Sequence, residues 1–297
     1  MGSYKTPLRY PGGKQKLTPF LQEILRENHI KGHYVEPYAG GAGVAIELLL
    51  NNDVEYIHLN DSDRGIYAFW YSILHHNDRF CYEILVASHT IEAWRKHREV
   101  VKHPQDHNLF ELGFSTFFLN RCNRSGVLSG GVIGGLKQEG NYKMNARFPK
   151  NDLIRRVQLI GHYKDRIRIA NQDAENYITE YVSKLPADCL IYLDPPYYNK
   201  AKALYLNAYN KKDHAQLART IQDRITHNWV LSYDGVPEIV DLYSQRRHFL
   251  YDLQYSAARA YKGKEVFIFC DQLRLPERCV LPNIEAGLQQ LTGFALS

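Results

Sequence analysis

Only five cysteines (Cys81, Cys122, Cys189, Cys270, Cys279) occur in 297 residues, and no two form a Cys-x-x-Cys pair. Their scatter excludes a zinc knuckle or a disulfide framework and fits a reducing cytoplasm. The 13 histidines show no ligand spacing with cysteine, so no metal site is expected, and His75-His76 reads as a polar helix face. No apolar run reaches the ~18 residues that a membrane helix needs, so no membrane partner is expected. The segment from Met1 to Lys16 lacks the apolar stretch of a secretory leader. A strong charge imbalance is missing too. Lys and Arg total 37 against 32 Asp and Glu, a net charge of +5, which alone argues for nucleic acid only weakly.

The distribution of charge says more. Basic residues gather from Arg95 to Lys102, Arg121 to Lys164, Lys200 to Lys212 and Arg259 to Lys264, and several of the 22 tyrosines lie among them. Aromatic rings interleaved with cations suit a surface that stacks bases and neutralises phosphates. A hydrophobic content of 44% is ordinary for a globular core. The length suits one large domain, or one domain with an insertion.

Short apolar runs bounded by turn residues predict strands at Tyr34 to Tyr38, Glu55 to Leu59, Arg166 to Ala170, Leu190 to Leu193, Trp229 to Tyr233, Phe249 to Tyr255 and Glu265 to Phe269. Helical spacing is predicted over Pro19 to Arg26, Val44 to Leu50, Ile66 to Leu74, Ala174 to Leu185 and His214 to Thr226. The order strand, glycine turn, helix, strand, acid near the start is a βαβ unit. From about Leu74 to Lys164 the chain turns polar and basic, with a glycine-rich stretch between Ser125 and Asn145. The expected organisation is an α/β domain made of residues 1–74 and 165–297, with an inserted subdomain at 75–164.

In an open α/β sheet, ligands bind beyond the carboxyl ends of the strands. Three such ends carry chemistry. Gly40, Gly41 and Gly43 follow the first strand and let a backbone approach a ligand closely. Asp61 ends the second strand, where a carboxylate can accept from vicinal ribose hydroxyls. NAD-dependent and S-adenosylmethionine-dependent folds both use that device. Glu36 would repel a pyrophosphate and suit a cationic ligand; alternatively it pairs with Lys14 or Arg9. The third end is the most informative. Leu190-Ile191-Tyr192-Leu193 runs into Asp194-Pro195-Pro196-Tyr197, and the two prolines stop the strand. An acid, a free carbonyl and a ring are the groups that hold a flat base with an exocyclic amine. An ordinary strand exit, with Asp capping a turn that Pro fixes, is the other reading.

Together these residues resemble the Dam-type family of DNA adenine-N6 methyltransferases, which includes restriction-modification and phage members. Arg9-Tyr10-Pro11-Gly12-Gly13-Lys14 looks like the family's N-terminal aromatic-x-Gly-Gly-Lys motif, and Val35 to Gly41 like its cofactor motif. Asn60-Asp61 is similar to its ribose-binding acid, Asp194 to Tyr197 to its catalytic motif, and Lys262 to Val266 to its closing segment. The resemblance implies a Rossmann-like sheet with helices on both faces, an inserted and mostly helical DNA-recognition subdomain, S-adenosylmethionine as cofactor and duplex DNA as partner, bound by a monomer or weak dimer. Carried over, Asp194, Pro195, Pro196 and Tyr197 are the expected catalytic residues. Tyr10, Lys14, Glu36, Pro37, Gly40, Gly41, Asp61, Asp173 and Asp194 are expected to line the cofactor and base pocket. Arg121, Asn123, Arg124, Asn141, Lys143 and Asn145 are expected at the DNA. The glycine-rich stretch departs from members that read GATC. Tyr197 is the expected stacking platform for the base, with Tyr198 second, and basic residues from Asn199 to Lys212 are expected beside the site.

The same acceptor geometry serves cytosine N4 or adenine N6 in RNA, so those substrates stay open. A dehydrogenase would explain the glycine turn and Asp61 but leaves the Asp-Pro-Pro-Tyr exit idle. A non-enzymatic DNA-binding module would keep the basic segment but has no reason to keep that acid and those prolines.

Overall fold

The computed structural model describes residues 5–9, 14–198, 209–255 and 261–293. After a single 3-10 turn at Lys14–Leu17, helix α1 (Thr18–Glu27) starts at Pro19 and buries Phe20, Leu21, Ile24 and Leu25 along one face. Strand β1 (His33–Glu36), α2 (Gly43–Leu50) and β2 (Tyr56–Asn60) form the expected βαβ unit. α3 (Arg64–His75) follows, capped by Asp63, whose carboxylate accepts from the Gly65 and Ile66 amides. Helices α4 (Asn77–Val86), α5 (Ile91–Lys102), α6 (Leu109–Cys122) and α7 (Lys150–His162) fill the path to β3 (Ile167–Ala170). The chain then gives α8 (Ala174–Glu180), β4 (Cys189–Leu193), α9 (Lys211–Arg224), β5 (Asn228–Asp234) and α10 (Pro237–Leu242). It closes with β6 (Arg247–Tyr255), β7 (Tyr261–Phe269) and α11 (Pro282–Gly293).

All seven strands join one sheet in the order β3-β2-β1-β4-β5-β7-β6. β3 through β5 run parallel, and β7 lies antiparallel between β5 and β6. The fold is therefore the expected α/β, Rossmann-like sheet. Every residue of β4 is buried, as a central parallel strand covered on both faces must be. Helices α1 and α2 pack together, as do α8, α9 and α10. β1 and β4 are neighbours although far apart in sequence, so the strand order reverses between them. That reversal opens a crevice at their carboxyl ends, where Glu36 and Asp194 emerge.

The polar segment of the sequence holds a larger core than its composition indicates. α6 buries residues on every side, among them Phe110, Phe114, Phe117 and Phe118, and these share one apolar cluster with the sheet. α6 crosses α3 at close range. A Cβ at Gly113 would stand 2.3 Å from the Ala68 carbonyl oxygen, so only glycine permits that approach.

Candidate active site

The turn after β1 is fixed by backbone bonds to β2. The Gly40 amide donates to Asp61 Oδ2 at 2.8 Å, and the Ala39 amide to the Asn60 carbonyl at 2.8 Å. Gly40 lies in the left-handed region at φ 46°, and its carbonyl accepts from the buried Trp70 indole at 3.0 Å. Asn60 clamps three strand ends, donating to the carbonyls of Pro37 and Gln172 and accepting from the Gln172 amide. Asp61 Oδ1 also accepts from the Asp63 amide at 2.9 Å. Each carboxylate oxygen thus keeps a lone pair unused. Asp61 is half-buried, and burial together with the nearby Asp63 charge pushes its pKa up to about 7.

Glu36 is buried, and its Oε1 accepts from the Ala45 amide at 3.2 Å in the first turn of α2. Burial lifts its pKa to about 8. It pairs with neither Lys14 nor Arg9. Lys14 is bound elsewhere, and the Arg9 guanidinium donates to the carbonyls of Asn123 and Arg121. Pro37 and Gly41 are buried in the turn. Asp173 is exposed beyond β3, where its Oδ1 caps α8 by accepting from the Glu175 and Asn176 amides. Tyr10 lies outside the described residues.

At the exit of β4 the Asp194 side chain retains 26% of its exposure. Its Oδ1 accepts from Ser232 Oγ at 3.1 Å and stands 3.3 Å from the Lys14 ammonium. Burial raises its pKa, and Lys14 pulls it back. Lys14 Nζ also contacts Glu265 Oε2 at 2.7 Å. Glu265 is fully buried and accepts from the hydroxyls of Tyr197, at 2.6 Å, and Tyr251. Although burial works against its charge, Lys14 and these donors hold Glu265 below the usual carboxylate range. Burial likewise opposes the Lys14 charge, but Asp194, Tyr197 and Glu265 win and raise its pKa. Behind Ser232, the Tyr192 hydroxyl lies 2.7 Å from Ser232 Oγ. Among the described residues, nothing donates to Asp194 Oδ2 or to the Pro195 carbonyl.

Several expected residues take different surroundings from those expected of them. Lys14 contacts acids of the strand exits rather than the glycine turn. Tyr197 is 7% exposed, its hydroxyl tied to Glu265 and the Lys14 ammonium 5.6 Å from its ring centre. Tyr198 is half-buried beside His214, with ring centres 4.9 Å apart, and its amide donates to Asp234. Arg121 is buried, donating to the carbonyls of Arg147 and Pro7, and burial lowers its pKa to about 9. Asn123 is fully buried between the Trp94 indole and the carbonyls of Val127 and Leu128. The side chains of Arg121 and Asn123 therefore brace the chain around the end of α6 instead of facing outward. Arg124, Asn141, Lys143 and Asn145 are exposed. Ser232, Tyr192, Tyr251 and Glu265 went unassigned in the sequence; only the likeness of Lys262 to Val266 to a closing motif marked that region. The basic residues expected at 199–208 and at Arg259 lie outside the described residues. Among the described residues, no group of His, Cys, Asp or Glu could hold a metal ion, and no helix is long and apolar enough to cross a membrane.

Two solved structures show what the chain is similar to. The rRNA methyltransferase aviRa from Streptomyces viridochromogenes is 11% identical at a TM-score of 0.34, over 88% of this chain and 86% of that one. Protein LPL1258 from Legionella pneumophila is 10% identical at a TM-score of 0.35, over 96% and 92%. A search of curated proteins finds no match. A family model described as D12 class N6 adenine-specific DNA methyltransferase matches residues 10–257. The match spans most of the chain and both strand exits, and the chain belongs to that family of adenine-N6 methyltransferases.

Proposed function

We propose that the protein transfers a methyl group from S-adenosylmethionine to the N6 amine of an adenine flipped out of duplex DNA. The observation that carries this reading is the Asp194 carboxylate. It stands at the strand-order reversal, partly open, with Oδ1 engaged by Ser232 and Lys14, while neither Oδ2 nor the carbonyl of the next residue, Pro195, takes a donor among the described residues. An NH₂ group has two hydrogens to give, and these acceptors match them.

The adenine N6 lone pair is delocalised into the ring. Two acceptors on its hydrogens favour a more tetrahedral nitrogen with a localised pair. Positive charge grows on that nitrogen during attack, and the Asp194 carboxylate stabilises it in place. The Lys14 ammonium at 3.3 Å favours the ionised carboxylate this requires. Fixing the two reactants in one crevice supplies a further part of the acceleration.

The residues of the glycine turn fit S-adenosylmethionine. Asp61 keeps two lone pairs for a ribose diol, Gly40 and Gly41 leave the backbone approachable, and Glu36, Pro37 and Asp173 surround the same strand ends. Bound there, the cofactor supplies an electrophilic methyl on a sulfonium. A cationic ligand near Glu36 would draw that carboxyl back toward its ionised form. In a duplex the N6 amine is inside the stack, out of reach of a carboxylate recessed at a strand end, so the base must be extruded. Tyr198, the more open of the two tyrosines, and Tyr197 supply rings beside it. The exposed Arg124, Lys143, Asn141 and Asn145 belong to the segment proposed to grip DNA, and residues 75–164 are proposed as its recognition unit.

The test is methylation of duplex oligonucleotides followed by mass analysis of the nucleosides. N6-methyladenine is expected with wild type, and Asp194→Asn should lower the rate about a thousandfold. N4-methylcytosine as product, methylation of RNA alone, or an active Asp194→Asn variant would each overturn the assignment.

A further inference from the structure

We propose that Ser232, backed by Tyr192, is a positioning residue that orients the Asp194 carboxylate and favours its ionised form, so that Oδ2 is the oxygen presented to the substrate amine. This rests on the methyl-transfer reading for its role in catalysis, but the placement can be tested without it.

The sheet builds this arrangement. Tyr192 in β4 pairs in register with Val230 of β5, which puts Ser232 diagonally across from it on the same face. Both side chains are buried, Tyr192 at 3% and Ser232 at 0%. The chain of contacts runs Tyr192 OH, 2.7 Å, Ser232 Oγ, 3.1 Å, Asp194 Oδ1. Its direction follows from what each group can give. An ionised carboxylate only accepts, so Ser232 spends its one hydrogen on Asp194. Ser232 Oγ must then accept from Tyr192. Tyr192 keeps its proton, because burial and the Asp194 charge push its pKa far above the ordinary tyrosine value. The two hydroxyls thus form a one-way relay of donors ending on a carboxylate. Such a relay strengthens each bond and favours the charged acceptor.

The ion pair with Lys14 reaches the same oxygen. Lys14 alone would leave the carboxylate free to turn about its last bond and exchange its oxygens. Ser232 approaches from the sheet side and Lys14 from the N-terminal segment, so two donors of different origin hold Oδ1. The base-facing partner is then Oδ2. Around Asp194 the charged and titratable groups are Lys14, Glu36 and Tyr34 of β1, Tyr192 of β4, Tyr233 of β5 and Glu265 of β7. Of these, only Tyr192 touches Ser232, and Ser232→Ala takes away the acceptor of its hydroxyl.

The experiment compares wild type with Ser232→Ala and Tyr192→Phe, all as the full chain. Asp194 is followed by carboxyl ¹³C NMR titration, with its signal assigned by the Asp194→Asn spectrum, and kcat is measured against pH. Ser232→Ala should raise the Asp194 titration midpoint and move the acid limb of kcat to higher pH. It should lower kcat about tenfold, the scale of one lost bond to a charged group, while KM for S-adenosylmethionine and Kd for DNA stay within about twofold. Tyr192→Phe, which removes only the outer donor, should shift the midpoint in the same direction by less. An Asp194 midpoint equal to wild type in both variants overturns the proposal. So does an unchanged acid limb with a lower melting temperature, the pattern of a merely structural serine. The NMR titration needs no substrate, so failure of wild type to methylate adenine would overturn the function and leave the placement to be decided by the midpoint.

Discussion

Lys14 and Glu265, 251 positions apart in the chain, meet at 2.7 Å in the interior of the protein. The contact joins the start of the fold to its last strand, β7. β7 runs antiparallel to β5, with Glu265 in register with Asp234 at the carboxyl end of β5. That placement brings Glu265 to the same rim as Asp194. Lys14 lies between two acids and so couples the Asp194 carboxylate to the body of the sheet. Glu265 in turn fixes the tyrosine that follows the double proline. One buried carboxylate thereby anchors Lys14, Tyr197 and Tyr251.

Removing Lys14 leaves Asp194 and Glu265 without their cation in a poorly solvated site. Lys14→Met should therefore destabilise the fold by about 3–5 kcal/mol, the range for breaking a buried pair from one side. Glu265→Gln should cost a comparable amount. The double variant should cost less than the sum, with a coupling of roughly 1–3 kcal/mol. Urea denaturation of the four proteins measures this cycle, and strict additivity would show that the two groups do not support each other.

Asp61 gives a pH dependence of defined sign. Its folded pKa, about 7, lies above the ordinary value because of burial and Asp63. The folded state therefore holds a proton that the unfolded chain has already lost between about pH 4 and 7. Stability from this group is present at the acid side and is lost as pH rises through 7. Asp61→Asn removes the titration. Relative to wild type, the Asn variant should gain stability from about pH 4 to about pH 7 and level off above that, in the absence of cofactor. A difference that does not change with pH would show that Asp61 is not raised. Asp61→Asn should also weaken S-adenosylmethionine binding, read by calorimetry.

The strands were legible because each is a short β-branched or aromatic run closed by a turn. Leu190 to Leu193 before two prolines and Trp229 to Tyr233 are examples, and both fall inside the observed β4 and β5. Helix α1 showed one apolar stripe. α6 did not, because it is buried on all sides and its apolar residues leave no polar face to set a period. The candidate site was legible where it is local, at Asp194 and at the glycine turn. It was not legible where it depends on pairing between distant strands. Nothing near Ser232 sets it apart from other strand residues, the likeness at Lys262 to Val266 marked the region of Glu265 without giving it a role, and only the register of β4, β5 and β7 puts the two beside Asp194. Charge counting failed in the opposite way at Arg121. A basic residue beside asparagines looked like a surface, whereas its donors satisfy the carbonyls of Arg147 and Pro7.

That difference separates Arg121 from Arg124 by experiment. Arg121 donates to the carbonyls of Arg147 and Pro7, at 2.5 and 3.3 Å, and thus ties the turn before α7 to the N-terminal segment. Arg121→Ala leaves both carbonyls buried without that donor and should cost about 2–4 kcal/mol of stability. Any loss of DNA binding should follow the loss of folded protein. Arg124 is exposed, and among the described residues only its backbone is engaged: its amide donates to the Gly131 carbonyl at 3.0 Å and its carbonyl accepts from the Val127 amide at 3.2 Å. Arg124→Ala should leave the melting temperature unchanged. It should weaken duplex binding and reduce the slope of log K against log salt by about one. Uniform weakening across sequences would mark a phosphate contact, and a changed sequence preference a base contact. A stable Arg121→Ala protein with altered sequence preference would return that side chain to the DNA surface.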